Sequence, residues 1–439
     1  MTGAEETARA EATLALAREQ FSVASGELAI GGVRVSELAA AHGTPLFVYD
    51  GGGLERRLDL LRSHLPPSID VFFSAKANPN PAVLRRFVGR GAGIEIASAG
   101  EYVRARAAGC APERILFAGP GKTRAELEYV VARGIGEIHA ESDEELAVLS
   151  ELGARAPVRV AVRVNPSAEA SGGAMRMGGQ PAPFGFDEER LEEAVRRIVA
   201  DRRLRFSGVH MFAGTQILDA QVLVGQWGHA VDTARRAAEV AGTPVETVDL
   251  GGGLGIPYFA NERALDLGVV RTEAARLFAR RPAGVEDARV VLEPGRFLCG
   301  PAGVYLARVL SVKRSRGRTF VVLDGGMNHH LAASGNLGQV IKRDYPVLNA
   351  SRAGEPGATP VTVVGPLCTP LDTLARQALV ASPEVGDLLA VLQSGAYGLS
   401  ASPVGFLSHP TPAEAMADRG AHERIRPRGT FEQPAAGLP

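Results

Sequence analysis

The sequence predicts an α/β protein: a (β/α)8 barrel of the TIM type joined to a second, all-β C-terminal domain of sandwich or barrel form. Three observations carry this. From Val71 onward, short β-branched or apolar runs alternate with helix-period segments, the pattern of repeated βα units. After Arg296 the helical period gives way to strand-like runs separated by Gly, Pro and Asn. With 439 residues, the chain is long enough for two or three domains.

The barrel strands can be read in order as Val71–Lys76, Gly93–Ser98, Arg114–Gly119, Glu137–Ser142, Val158–Pro166, Arg205–Gly214, Thr247–Gly253 and Arg289–Arg296. Helical returns such as Pro81–Arg90, Arg124–Gly134 and Glu188–Ala200 separate them, and eight parallel strands so connected close into a barrel. The barrel is expected over residues 43–296. Val304–Lys313, Thr319–Leu323, Val361–Val364 and Leu388–Gln393 are the strands of the β domain, taken as residues 21–42 and 297–420. Phe21–Arg34, with its Gly31-Gly32 turn, is expected to add strands to it. The ends read as loose: a flexible arm over residues 1–20, an isolated amphipathic helix at best, and a fraying tail over 421–439.

Composition narrows the function classes. There are 48 Lys+Arg against 49 Asp+Glu, a net charge of -1, which argues against nucleic-acid or anionic-membrane binding. Cys110, Cys299 and Cys368 are too few for a disulfide framework, and a reducing cytoplasm is the expected location. No apolar run approaches the roughly 20 residues that span a bilayer. The first twenty residues lack the basic-then-apolar layout of a signal peptide.

In such a barrel the active site lies at the C-terminal ends of the strands. Lys76 closes the first strand, where desolvation would lower its pKa and favour imine formation; a surface lysine is the alternative reading. Gly251, Gly252 and Gly253 close the seventh strand, either as an anion cradle or as a plain turn. Thr215 after the sixth strand could add a hydroxyl, and Glu293-Pro-Gly295-Arg296 after the eighth adds a carboxylate and a guanidinium. An amine, an anion cradle and a carboxylate for a pyridinium proton are the parts that pyridoxal 5'-phosphate requires. His329-His330 offers no third ligand at metal spacing, so no metal is expected.

Six motifs occur in an order that resembles the fold-type III, alanine-racemase-like pyridoxal-phosphate decarboxylases, which include diaminopimelate and ornithine decarboxylases. They are Phe73-Ser-Ala-Lys76-Ala-Asn78, Gly208-Val-His210 with Gly214-Thr-Gln216, Asp249-Leu-Gly-Gly-Gly253, Glu293-Pro-Gly-Arg296, Gly365-Pro-Leu-Cys368 with Asp372, and Gly395-Ala-Tyr397-Gly398. The resemblance covers about residues 25 to 420. It implies that Lys76 binds the cofactor covalently, that Gly251 to Gly253, Thr215, Gly295 and Arg296 hold its phosphate, and that Glu293 pairs with the pyridine nitrogen. It also implies a homodimer with shared sites, in which Cys368 reaches the neighbouring subunit's site as proton donor to Cα. Tyr397 would contact the phosphate; Thr369, Asp372 and Arg296 would contact substrate.

Two departures bear on the substrate. Where diaminopimelate decarboxylases carry two histidines, this chain has His210 and Phe212. Phe212 can supply the ring stack, while His210 either lines the site or is satisfied in the core. After Asp324-Gly-Gly-Met-Asn328, the Arg-Pro pair that clamps the substrate's distal end is replaced by His329-His-Leu-Ala-Ala-Ser334, and the acidic residue after the cysteine is replaced by Thr369. A free diaminopimelate or ornithine would then bury an unpaired charge.

The remaining motifs resemble a subgroup of specialised metabolism acting on glutamyl or methylaspartyl groups thioesterified to an acyl carrier protein. Such a substrate has a neutral distal end. Decarboxylation of a free amino acid is the nearest alternative. A non-catalytic cofactor-binding homologue is disfavoured by the presence of both Lys76 and Cys368. Racemisation is disfavoured because racemases of this fold use a tyrosine base.

Overall fold

The computed structural model describes residues 3–167, 175–176, 181–212, 214–259, 261–339, 342–357 and 359–435. They form two units: residues 57–256 with 264–297, and residues 1–56 with 257–263 and 298–439.

The first unit is the expected barrel. Its strands are β1 (Ile69–Ser74), β2 (Gly93–Ile96), β3 (Ile115–Phe117), β4 (Glu137–Ala140), β5 (Val158–Asn165), β6 (Leu204–Met211), β7 (Thr247–Asp249) and β8 (Arg289–Leu292). All neighbours are parallel, and the β4–β5 and β8–β1 pairings close the ring. Each strand ends one to four residues earlier than the sequence suggests, because the residues that follow belong to the loops at the C-terminal ends of the strands. Helices start on side-chain caps that satisfy their first N–H groups: Asn80 on Ala82, Ser98 on Glu101, and Thr123 in a reciprocal capping box with Glu126. Their apolar faces pack on the barrel; the helix Leu191–Ala200, for example, buries Leu191, Ala194, Val195 and Ile198.

The second unit is β-rich. The long strand Gly303–Ser315 is its axis, pairing antiparallel with Leu46–Asp50 and Leu388–Val391 over its first half and with Arg318–Leu323 over its second. An irregularity between Val309 and Ser311 marks the change of partner. Thr359–Val364 and Thr373–Val380 extend one side of this sheet, and Ala413–Asp418 and Ala421–Arg426 the other. Ser22–Ala24, Glu27–Ile30 and Val33–Arg34 form a separate three-stranded sheet. Leu28, Ile30, Val48, Val304, Leu306, Ala390 and Ala415 share one core.

The structure corrects three expectations. Leu46–Asp50, placed in the barrel by the 43–296 boundary, is a central strand of the β unit. Its apolar run is indistinguishable by period from a barrel strand. The N-terminal arm is a helix, Gly3–Gln20, whose Ala10 and Ala17 are buried against the β unit. Small apolar residues let it dock closely although its amphipathic contrast is weak. The tail is likewise fixed as far as residue 435: Ala421–Arg426 pairs with Ala413–Asp418, Arg426 bonds Glu414 at 2.8 Å, and Thr411 N–H donates to Pro434 O at 2.8 Å. Residues 1–2 and 436–439 lie outside the described residues.

Candidate active site

Lys76 follows β1 in a single 3-10 turn, Ala75–Ala77. Both alanines are buried, which anchors the turn and turns the lysine outward. Its side chain is 48% exposed, with Nζ 3.7 Å from Glu95 Oε2. The expected desolvated amine is therefore a half-exposed one set beside a buried carboxylate. Glu95, on β2, also accepts a hydrogen bond from Ser74 Oγ. Burial raises the Glu95 pKa, and the charge of Lys76 opposes the rise.

The loops after β6, β7 and β8 approach one another through glycine. Gly251 adopts φ +65, and a Cβ there would stand 2.7 Å from Met211 O. A Cβ on Gly252 would lie 2.5 Å from Glu293 O, and one on Gly253 2.9 Å from Gly214 O. Ile217 N–H to Gly253 O and Gly255 N–H to Ile217 O, both 2.9 Å, tie the β6 and β7 loops. Gly252 and Gly253 N–H donate to no other described residue, which leaves two backbone donors for an anion. Thr215 is half-buried on the same β6 loop. Gly295 packs against Ala77 and Ser74, drawing the β8 loop to the turn that carries Lys76. Arg296 opens the short helix Arg296–Cys299 immediately after.

Glu293 is buried at the mouth of β8, its Oε2 3.3 Å from Nε2 of His210. Burial opposes its ionisation, but the neighbouring His210 outweighs this and holds its pKa below the usual carboxylate range. His210 itself is pushed down to about 4, chiefly by burial. It lies buried beside Glu293, with its ring stacked on that of His139. Phe212, just past the end of β6, is half-exposed, with its ring centroid 5.8 Å from Lys76 Nζ.

The other predicted residues belong to the β unit. Cys368 is an exposed thiol. Thr369 is half-exposed, and its Oγ1 accepts from Leu371 N–H at 3.3 Å. Tyr397 is half-buried with φ +52, a left-handed conformation uncommon for a bulky residue. Asp372 requires correction as a substrate contact. It is buried, with Oδ1 accepting from Met327 N–H at 2.7 Å and Oδ2 from Leu367 N–H at 2.8 Å. Both oxygens are committed to backbone, so Asp372 organises the loops on which His329 and Cys368 sit.

Sequence reasoning missed Glu95, His139 and Asp249 as site residues, and Arg163, which bonds Glu141 at 2.7 Å between β5 and the β4 loop. A signal was present: Gly93-Ile-Glu95-Ile and Glu137-Ile-His139-Ala place ionisable residues at alternate positions of otherwise apolar strands. In a barrel strand one set of alternate positions faces the interior.

These features fit pyridoxal phosphate. Free glycine N–H groups suit a phosphate, the ionised Glu293 keeps an oxygen, Oε1, without a partner among described residues, and an amine stands nearby. Residues 52–300 match the family described as pyridoxal-dependent decarboxylase, pyridoxal binding domain. The L-glutamyl-[BtrI acyl-carrier protein] decarboxylase of Niallia circulans is 41% identical over 91% of this chain and 94% of its own length. A diaminopimelate decarboxylase of Zymomonas mobilis is 32% identical over 94% and 96%. The crystal structure of diaminopimelate decarboxylase from Helicobacter pylori complexed with L-lysine superposes with a TM-score of 0.81 at 26% identity, covering 90% of this chain and 97% of that one. With the barrel, the glycine-lined loops and the lysine-carboxylate pairing in place, this chain belongs to the fold-type III pyridoxal-phosphate-dependent amino-acid decarboxylases.

Proposed function

We propose that this enzyme removes the α-carboxyl group of a glutamyl- or aspartyl-type residue held as a thioester on an acyl carrier protein. The observation that carries the reading is that the positions at which the family's charged distal-end readers stand are held, among the described residues, by His329, His330 and Thr369. His329 and His330 are buried, and burial pushes both down to about 3, so they are neutral near pH 7. Of the cations in the following segment, Arg343 pairs with Glu262 at 3.2 Å and Lys342 donates to Asn336 Oδ1, and Arg376, on the strand Thr373–Val380, pairs with Asp344 at 2.7 Å. Thr369 offers a hydroxyl where a carboxylate would read an amine. A thioester needs no counter-ion at that end, whereas a free carboxylate or ammonium without one costs several kcal/mol. The 41% identity to a decarboxylase acting on a carrier-bound glutamyl group supports the same substrate class.

Within the site, Lys76 would hold the cofactor. Gly251, Gly252, Gly253, Thr215, Gly295 and Arg296 would bind its phosphate, with Tyr397 as a further phosphate contact. Phe212 would pack on the cofactor, and Glu293 would keep its ring nitrogen protonated. When bound, pyridoxal phosphate supplies the electron sink for the pair left as carbon dioxide departs. The chain's own contribution is to keep that sink cationic through Glu293 and to return a proton to Cα, a task we assign to the partner subunit's Cys368 in a homodimer. No helix among the described residues is long and apolar enough to cross a membrane, in keeping with a cytoplasmic enzyme.

The test is intact-mass analysis of glutamyl- and aspartyl-loaded carrier proteins incubated with the enzyme, read for loss of carbon dioxide, alongside free diaminopimelate, lysine, ornithine and glutamate. The tethered substrate should be favoured at least about a hundredfold in kcat/KM, as two missing charge-assisted contacts imply. Equal turnover of free diaminopimelate would replace this reading with that of an ordinary amino-acid decarboxylase.

A further inference from the structure

Beneath Glu293 the barrel interior holds a second tier of ionisable groups. One polar atom each from His139 on β4, His210 on β6, Asp249 at the end of β7 and Glu293 after β8 lies within 4.8 Å of the others, and all four residues are buried. His139 and His210 stack, with ring centroids 4.4 Å apart. Below them His139 Nε2 is 3.2 Å from Glu137 Oε1, and Arg159 Nε lies 3.2 Å from Glu137 Oε2. From the other side Lys76 and Glu95 face the site, and Arg163 pairs with Glu141.

Two carboxyl groups that each place an oxygen in this 4.8 Å cluster repel one another when both are ionised in a water-poor interior, which favours a proton on one of them. Geometry decides which. Glu293 Oε2 has the imidazole of His210 at 3.3 Å. Asp249 Oδ1 accepts Gly251 N–H at 2.9 Å, but its Oδ2 has no donor among the described residues. His139 Nε2, 3.7 Å from Asp249 Oδ2, is closer to Glu137 Oε1 at 3.2 Å.

We propose that Asp249 is a neutral carboxylic acid whose proton is directed at Glu293, making it a positioning residue that fixes Glu293 as the anion facing the cofactor's ring nitrogen. Burial first, then the charge of Glu293, raises the pKa of Asp249 well above the ordinary carboxylate range, in agreement with that assignment. The ring-nitrogen role of Glu293 is the reading given above, so this inference rests on it. The protonation of Asp249 does not, since every group that enforces it belongs to the protein.

Asp249→Asn is the informative variant, because its amide reproduces the acid: Oδ1 still accepts from Gly251 and an N–H still points at Glu293. Asp249→Ala removes both. Infrared difference spectra of wild type against Asp249→Asn, taken on cofactor-free protein near neutral pH, should show the carbonyl band of a protonated carboxyl that shifts in deuterium oxide. Pyridoxal phosphate titrations should show Asp249→Asn within about threefold of wild type and Asp249→Ala weaker by at least about tenfold. The bound-cofactor absorbance of Asp249→Asn should keep the wild-type pH profile. Absence of the protonated-carboxyl band overturns the proposal and leaves the proposed function untouched. Its presence with normal cofactor affinity in Asp249→Ala overturns the positioning role and the Glu293 pairing together. A stoichiometric divalent metal in the purified protein would also overturn it, because metal-bound Asp249 would be ionised.

Discussion

Lys76 Nζ stands 3.7 Å from Glu95 Oε2, a half-exposed cation over a buried carboxylate that also receives the Ser74 hydroxyl. The contact holds a solvent-accessible amine beside the end of β2, where a cofactor aldehyde could reach it. Borohydride reduction of cofactor-saturated enzyme should therefore fix the pyridoxyl group on the peptide that contains Lys76. Recovery of that peptide unmodified after reduction would sink the assignment of Lys76.

A second prediction concerns the glycine loop. A Cβ on Gly252 would stand 2.5 Å from Glu293 O, closer than real Cβ contacts allow, so Gly252→Ala must move the β7 loop, the β8 loop or both. Because the displaced segment carries the free N–H groups and the backbone of Glu293, pyridoxal phosphate affinity should fall by about tenfold or more. The barrel helices should remain folded. Titration of apo-enzyme with the cofactor, checked by far-ultraviolet circular dichroism, measures this; unchanged affinity would mean that the glycines are merely a turn.

The pH dependence of stability follows from the buried imidazoles. Nδ1 of His330 lies 3.3 Å from Ala333 N–H and its Nε2 lies 3.0 Å from Ser394 Oγ, an arrangement that suits a neutral ring accepting at Nδ1 and donating at Nε2. A second proton on Nδ1 would face a backbone N–H. Burial depresses the folded-state pKa to about 3, below the unfolded value of 6.5. Between these values the unfolded chain binds the extra proton, so stability is lost as pH falls through this window and is retained above it. His329 and His210 are displaced in the same direction. Denaturant unfolding of wild type and His330→Gln between pH 7 and 5 should show wild type losing at least about 1 kcal/mol more than the variant. Parallel losses would mean that His330 titrates normally.

Much of this molecule was legible in the chain because its barrel strands are short β-branched runs with chemistry at their ends. Lys76, the glycines and Glu293 all lie just past a strand, where period and fold agree on position. Glu95 and His139 showed only as ionisable residues at alternate positions of apolar strands, and alternation does not say whether that face is the barrel interior; Asp249, at a strand end, carried not even that signal. Asp372 was misread because a motif position does not show where a carboxylate sends its lone pairs; here both oxygens accept backbone N–H groups. Leu46–Asp50 was assigned to the wrong unit for a similar reason: an apolar strand does not announce its partner, and its partners lie more than 250 residues away in sequence at Gly303–Ser315 and Ala413–Asp418.

The last prediction separates the two units by genetics. Lys76 lies in the barrel unit and Cys368, exposed, in the β unit. If the proton returned to Cα comes from the partner subunit's Cys368, a chain lacking Lys76 and a chain lacking Cys368 are each inactive alone, yet a hybrid dimer keeps one site with both groups. In an equal mixture half of the dimers are hybrids and each has one complete site of two, so subunit exchange between Lys76→Ala and Cys368→Ala should restore up to roughly a quarter of wild-type activity. The recovery should appear only under conditions that allow dimers to dissociate, and it should scale with the hybrid fraction measured by native mass spectrometry. A donor acting within its own chain gives a different result: every hybrid site then lacks one of the two groups, and verified hybrids would show no recovery.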